Sequence, residues 1–476
     1  MKTIIPLFVA LLSLPIGPRT KAVIPPPDGC YPNSTTAEGC KALQSLTTGV
    51  ANTGIGWYSL FANSSGSYNT AVGAGALDLN TADNNTAVGV AALLLNSTGT
   101  NNTANGVGAL VFNNDGEENT ATGAFAMYSN TAGDFNTANG AFALFFNTTG
   151  ERNTAIGDSA LYLNADGSSN TAIGNIALLS NTTGDDNTAA GVGALRNNTT
   201  GHENTAIGVQ TLANNTNGIV NTAMGYRALE SNTGGTSNTA TGVEALGLTT
   251  TGGGNTATGY QALRDNITGD YNTADGLFAL GNLTSGFNNT ALGRGAGFGV
   301  TTADYVICIG SSGANVSHSC YIDEIWQQPG GTQAVYINSD GKLGAVVSSR
   351  RFKDEIKPLE QASEVIYQLN PVSFRYKPEI EPSRPTSFGL IAEEVENVHP
   401  DLVLHDKEGK PYTVRYDQVN IMLLNEFLKT HRRMAEQDKR IEELTTQLKE
   451  QGAQIQKVNA QLESTKLAAR LVENDL

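Results

Sequence analysis

Residues 204–220 read NTAIGVQTLANNTNGIV, and residues 85–101 read NTAVGVAALLLNSTGTN. Both follow one plan, N-T-A-x-G-x-x-A-L-x-x-N-T-x-G-x-x, allowing for Thr211 at the eighth position of the first and Ser97 at the thirteenth of the second. The leading asparagine recurs at residues 52, 69 and 85 and then at every seventeenth residue up to 289; only the step from 69 to 85 is shortened, to 16. Strict periodicity on this scale predicts a solenoid, in which each repeat is one rung that buries its apolar face only against its neighbours. A degenerate copy, TTAEGCKALQSLTTG, begins at Thr35, and the last copy, from Asn289, lacks the leucine of the ninth position. Departures of this kind at the two ends suit capping rungs.

The unit has a physical reading. In T-A-x-G, small residues suit a short strand facing a narrow interior, with the variable residue facing water. The x-x-A-L-x-x segment is expected to form one helical turn. N-T-T-G supplies turn chemistry, with glycine free to take positive φ. Asparagines stacked at one height are expected to form a hydrogen-bonded ladder. No proline occurs between Pro32 and Pro329, as an unbroken backbone ladder requires. Each rung buries little beyond alanine and leucine, so a bundle of parallel chains, best a homotrimer, is the expected remedy; the period by itself does not count chains.

Composition narrows the function. The 476-residue chain carries a net charge of −16, which argues against phosphate-backbone recognition, and so against a nucleic-acid partner. Met1-Lys2 followed by TIIPLFVALLSLPIG is too short for a membrane span and has the layout of a secretory signal peptide with cleavage near Ala22. Export suits the four cysteines, Cys30 with Cys40 and Cys308 with Cys320, as two disulfides closing short loops. Neither their spacing nor nearby histidines forms a metal site, and no cofactor is expected. Carboxylates such as Asp158, Glu244 and Asp275 stand singly at variable positions, so nothing singles out the fixed pair that a glycosidase needs. The repeat therefore reads as a spacer, with its threonine array as a possible adhesive face.

The chain then changes character. Of 29 lysines and arginines, 20 lie from Lys342 onward, and no lysine occurs between Lys41 and Lys342. Short β-branched runs between the repeats and this basic region predict a β-rich connector. Beyond it, EQASEVIYQL is expected to be helical, with Val365, Ile366 and Leu369 on one side, ended by Asn370-Pro371. VSFRY reads as a strand, FGLIAEEVENVHPDL as a strand running into a helix, and VLHDKEGKPYTVRY as two strands around a turn. A heptad follows, with Phe427, Met434, Ile441, Leu448, Ile455 and Leu462 at one seam position and Leu423, Leu444 and Val458 at the other; it predicts a coiled coil.

Two resemblances add to this reading. The alanine-glycine rungs resemble the head repeats of trimeric autotransporter adhesins. SSRRFKDEIKPLEQASEVIYQLNPVSFRYK, then FGLIAEEVENVHPDLV and a terminal coiled coil, resembles the endosialidase-type intramolecular chaperone that ends many phage tail spikes and fibres and some surface proteins. That resemblance implies a small α/β domain that registers three chains and then removes itself. It assigns Ser348 as nucleophile and Lys353 as its base, with the scissile bond between Val347 and Ser348. The family usually carries aspartate at the position of Ser349. The resulting segmentation is a signal peptide at 1–22, a proline-rich segment at 23–34, the repeat rod at 35–300, the connector at 301–347, the chaperone and autoprotease at 348–425, and the coiled coil at 426–476. The expected protein is an exported fibre that cuts only itself, once. The alternatives are a phage-type tail fibre that binds a host receptor and a surface adhesin that does not cleave.

Overall fold

The computed structural model describes residues 32–325, 335–337, 342–344, 347–406 and 408–473. The expected signal peptide and Cys30 lie outside them. The described residues fall into two compact units, divided between residues 328 and 329.

The first unit is a parallel β-solenoid. Eighteen three-residue strands, β1 (Thr36–Glu38) to β18 (Cys320–Ile322), form one sheet. Each strand pairs with the equivalent strand one repeat on: Thr205 lies opposite Thr222, Ala206 opposite Ala223, and Ile207 opposite Met224. The ladder continues past the last recognisable repeat, since β16 (Thr290–Leu292) pairs with β17 (Ile307–Ile309), and β17 with β18. At about 4.8 Å per strand, the stack is on the order of 80 Å long.

The interior is narrow and repeats without change. Ala206, Leu212, Asn204 and Asn215 have no solvent exposure, and neither do their counterparts in most rungs. Burying one such leucine contributes about 1.5–3 kcal/mol. The asparagines form two ladders. At the first position, Asn221 donates both its backbone N–H (3.0 Å) and Nδ2 (3.1 Å) to Asn204 Oδ1, while Asn204 Nδ2 donates to the Gly218 carbonyl (2.9 Å). At the twelfth position, Asn215 Nδ2 donates to Asn198 Oδ1 (2.7 Å) and to Gly218 O (3.0 Å). Buried amides are tolerated here because nearly all find partners in their own and neighbouring rungs; Asn232 Oδ1, next to the rung where Thr249 replaces the asparagine, is left without one.

The segment around the buried leucine is not a helical turn. Gln210 (φ 56°) and Leu212 (φ 51°) are both left-handed. The Leu212 N–H bonds to Ala228 O in the next rung at 3.0 Å. Donors that would point back along a helix instead point along the stack, and the inter-rung bonds offset the left-handed conformation of leucine. The fifth-position glycine also differs from expectation. It is fixed by backbone-to-backbone approach between rungs, because a Cβ on Gly208 would lie 2.6 Å from Gly225 O.

One rung carries a local flaw. Ser59 occupies the eighth position, where Ala76, Ala92 and Ala109 stand in the following rungs, and its buried Oγ has no hydrogen-bond partner. Ser59→Ala is expected to stabilise the solenoid by about 1 kcal/mol, because it removes an unsatisfied buried hydroxyl. A shift of the unfolding midpoint to higher denaturant would show it; a lower midpoint would count against it.

Cys40, Cys308 and Cys320 are free thiols. Register places Ile307 opposite Cys320 and Cys308 opposite Tyr321. Cys308 therefore points inward and is buried, whereas Cys320 shares the exposed face with Ile307. Alternation along the strands sets the expected pair on opposite faces.

In the second unit, a two-stranded ribbon of β19 (Tyr336–Ile337) and β20 (Leu343–Gly344) precedes the family-like segment. The stretch expected to be helical is a helix of the 3-10 type, Glu360–Gln368. Three residues per turn aligns Ser363, Ile366 and Leu369 on one face, and Ser363 is buried. β21 (Val372–Phe374) pairs antiparallel with β22 (Ser387–Gly389); α1 (Ala392–Val398) follows, then the hairpin of β23 (Val403–His405) and β24 (Pro411–Val414). Val395, Leu402, Val403 and Val414 form the small core. Helix α2 runs unbroken over Tyr416–Glu473. Along it, Phe427, Met434, Ile441, Leu448, Ile455 and Leu462 of the heptad seam all stand exposed.

Candidate functional site

The basic stretch at Ser348 is folded as a single tight turn. Arg350–Phe352 forms one 3-10 turn, closed by Phe352 N–H to Ser349 O (3.0 Å) and Lys353 N–H to Arg350 O (3.1 Å). Ser349 and Lys353 flank it in extended conformation. Ser348 and Lys353 thus lie on either side of the turn. Both are exposed, as is Val347, and among the described residues neither side chain has a hydrogen-bond partner. Arg351 stacks its guanidinium 4.5 Å from the centre of the Phe352 ring.

Both side chains are thus open to solvent. A serine hydroxyl needs a base, and a lysine becomes one only when burial or neighbouring cations destabilise its charge. In one chain Arg350 and Arg351 precede Lys353 by three and two residues, and Lys353 is exposed.

Sequence reasoning missed a second polar cluster, built where the 3-10 helix meets α2. Ser363 Oγ donates to Glu426 Oε1, Tyr367 OH donates to Oε2 (3.0 Å), and Lys429 Nζ donates to Oε1 (2.7 Å). Asn425 Nδ2 donates to Ser363 Oγ at 2.7 Å, and Lys429 also reaches Glu364 (3.3 Å). Lys429, then Ser363, holds the buried Glu426 carboxyl below the ordinary glutamate range, and Glu426 in turn raises Lys429. Here the lysine is a fixed cation, the opposite of a base. Only the spacing of Glu426 and Lys429 on one helix signalled any of this.

The sign of the pH effect follows. A depressed carboxyl contributes stability above its unfolded value, about 4.3, and loses it as pH falls through its lower folded value. Lys429 contributes below its unfolded value and loses that only as pH rises through its raised one. The docked 3-10 helix is therefore expected to hold across neutral pH and loosen in acid. Glu426→Gln should lower the melting temperature at about pH 7 and flatten its dependence below about pH 4.3. An unchanged acid limb would remove Glu426 from that role.

An open groove of about 670 Å³ is lined by Phe374, Tyr376, Leu390, Tyr412 and Tyr416 among others. Among the described residues no three His, Cys, Asp or Glu side chains gather as a metal site, and no helix is long and apolar enough to cross a membrane.

Comparison with curated proteins and with solved structures gave no match. Comparison with protein families did: residues 348–404, from the candidate serine to the first strand of the last hairpin, match the family described as chaperone of endosialidase.

Proposed function

We propose that this chain is an exported fibrous surface protein whose C-terminal domain brings three copies into register and then cuts itself off between Val347 and Ser348. The observation that carries the reading is that the chaperone-family match begins at Ser348, downstream of a long β-solenoid. The family implies trimeric self-association, and the exposed heptad stripe of α2 supplies a seam for three helices to form a coiled coil.

In the proposed reaction, packing in the trimer buries Lys353 and favours its neutral amine. That amine takes the proton from Ser348 Oγ as the oxygen attacks the Val347 carbonyl carbon. The C–N bond breaks, the proton passes to the Ser348 amine, and an ester joins Val347 to Oγ. Water then hydrolyses the ester, leaving a carboxylate on Val347 and restoring the hydroxyl. Cleavage would thereby report correct assembly.

The combination of chaperone domain and solenoid also fits a phage-type tail fibre, whose rod would bind a host receptor or surface glycan. A mature protein lacking residues 1–22 favours export, and one retaining them favours the tail fibre. The decisive experiment is native mass together with N-terminal sequencing of any fragment. A trimer with a fragment starting at Ser348 supports the proposal; an intact chain in a native trimer overturns self-cleavage and leaves a non-cleaving surface adhesin.

A further inference from the structure

The solenoid leaves one long face uncovered. In every rung the second and fourth residues of N-T-A-x-G point outward, and the sixth follows beside them. Threonine fills the second position from Thr36 to Thr290. Ile207, Met224 and Leu292 at the fourth position, with Trp57, Val209 and Tyr226 at the sixth, are each at least 40% exposed. The strands are in register, so these side chains form continuous ranks along the sheet.

Charge singles out this face. Across the two variable positions the only charged residues are Glu38, Asp158, Asp275 and Arg294. The acids of the rod concentrate instead in the turns, at residues such as Asp83, Asp115, Glu117, Asp134, Asp166 and Asp185. Two copies of an acidic, nearly lysine-free rod repel one another everywhere that carboxylates face each other. They can approach closely where carboxylates are few, as on this face.

Its size is sufficient. About 80 Å of stack and roughly 13 Å from the second to the sixth residue give on the order of 1,000 Å², against about 800 Å² per partner in a standard interface. A charge-poor face of that extent, carrying ranks of exposed aliphatic and aromatic side chains, marks an interaction surface.

We propose that this face, the second, fourth and sixth positions of the rungs, is where copies of this chain pack against each other along the solenoid. The proposal rests on the self-association proposed above and names the surface that would serve it in the rod. Like rungs then meet at the same height, so the Ile207 rank of one copy faces the same rank of its neighbours. Threonine hydroxyls at the margin keep hydrogen bonds to water, while the aliphatic side chains are covered.

The test uses the full chain with a benzophenone side chain in place of Ile207, or of Val220, which is exposed at the turn, and measures the native mass of both. Irradiation is expected to join copies covalently from position 207 and not from position 220. An oligomeric mass without cross-linking at 207 frees the face for an outside ligand such as a glycan and overturns the assignment, while self-association stands. A monomeric mass overturns both.

Discussion

A Ser348→Ala chain is expected to stay whole under conditions where the wild-type chain releases the fragment Ser348–Leu476. The expected loss is complete within detection, because the same oxygen both attacks the Val347 carbonyl and carries the ester. Lys353→Met should give the same intact chain, since its side chain is similar in length and holds no base. Neither substitution disturbs packing in one chain: both positions are exposed, and the adjoining turn is held by backbone bonds from Phe352 and Lys353. The variants should therefore assemble into the same number of copies as the wild type. That combination separates lost chemistry from lost assembly. If Ser348→Ala still cut at Val347, another nucleophile would be at work. If Lys353→Met cut at the wild-type rate, the proton would have another acceptor. Ser349→Asp, which restores the residue usual in the family, is expected to speed release.

How much of this was legible in the sequence depends on how far apart the interacting residues lie. The rod was legible because its contacts repeat at one fixed separation: Asn204 meets Asn221, and Thr205 meets Thr222, by the same offset that the sequence displays. The turn around Leu212 was not. Left-handed leucine is locally unfavourable, and only the inter-rung bonds of the assembled stack select it. The fixed glycine could be seen without its reason, since the approach of Gly225 O becomes apparent only when rungs stack. The cysteines illustrate the reverse error, because closeness along the chain suggested a pair that strand alternation places on opposite faces. The proposal of Ser348 and Lys353 rests on family resemblance alone, as nothing in one chain's geometry marks them. The Ser363–Glu426 contact joins residues 63 positions apart, and no local pattern encodes such a meeting.

Among substitutions in the rod, Gly225→Ala is expected to do the most damage. A Cβ there would lie 2.4 Å from the Gly242 carbonyl oxygen, and the residue sits at φ +134°, outside the range that L side chains favour. The obstacle is backbone, so no rotamer relieves it, and the rungs must separate. Conformational strain of about 1–3 kcal/mol adds to overpacking of about 1–3 kcal/mol. Separation also weakens the Gly242 N–H bond to Met224 O, which is 2.8 Å long. Gly295→Ala provides the contrast. It sits at φ +66° with open space around its Cβ, and the equivalent positions already hold Gln210, Gln261 and Phe278 at φ near +55°. Its cost should stay near 1–2 kcal/mol. Amide exchange then separates two mechanisms. If close approach governs the fifth position, Gly225→Ala exposes the strands Thr222–Met224 and Thr239–Thr241 while distant rungs stay protected, because each rung contacts only its neighbours. If left-handed backbone alone mattered, both variants would lose protection equally, and the inter-rung account of the glycine would fall.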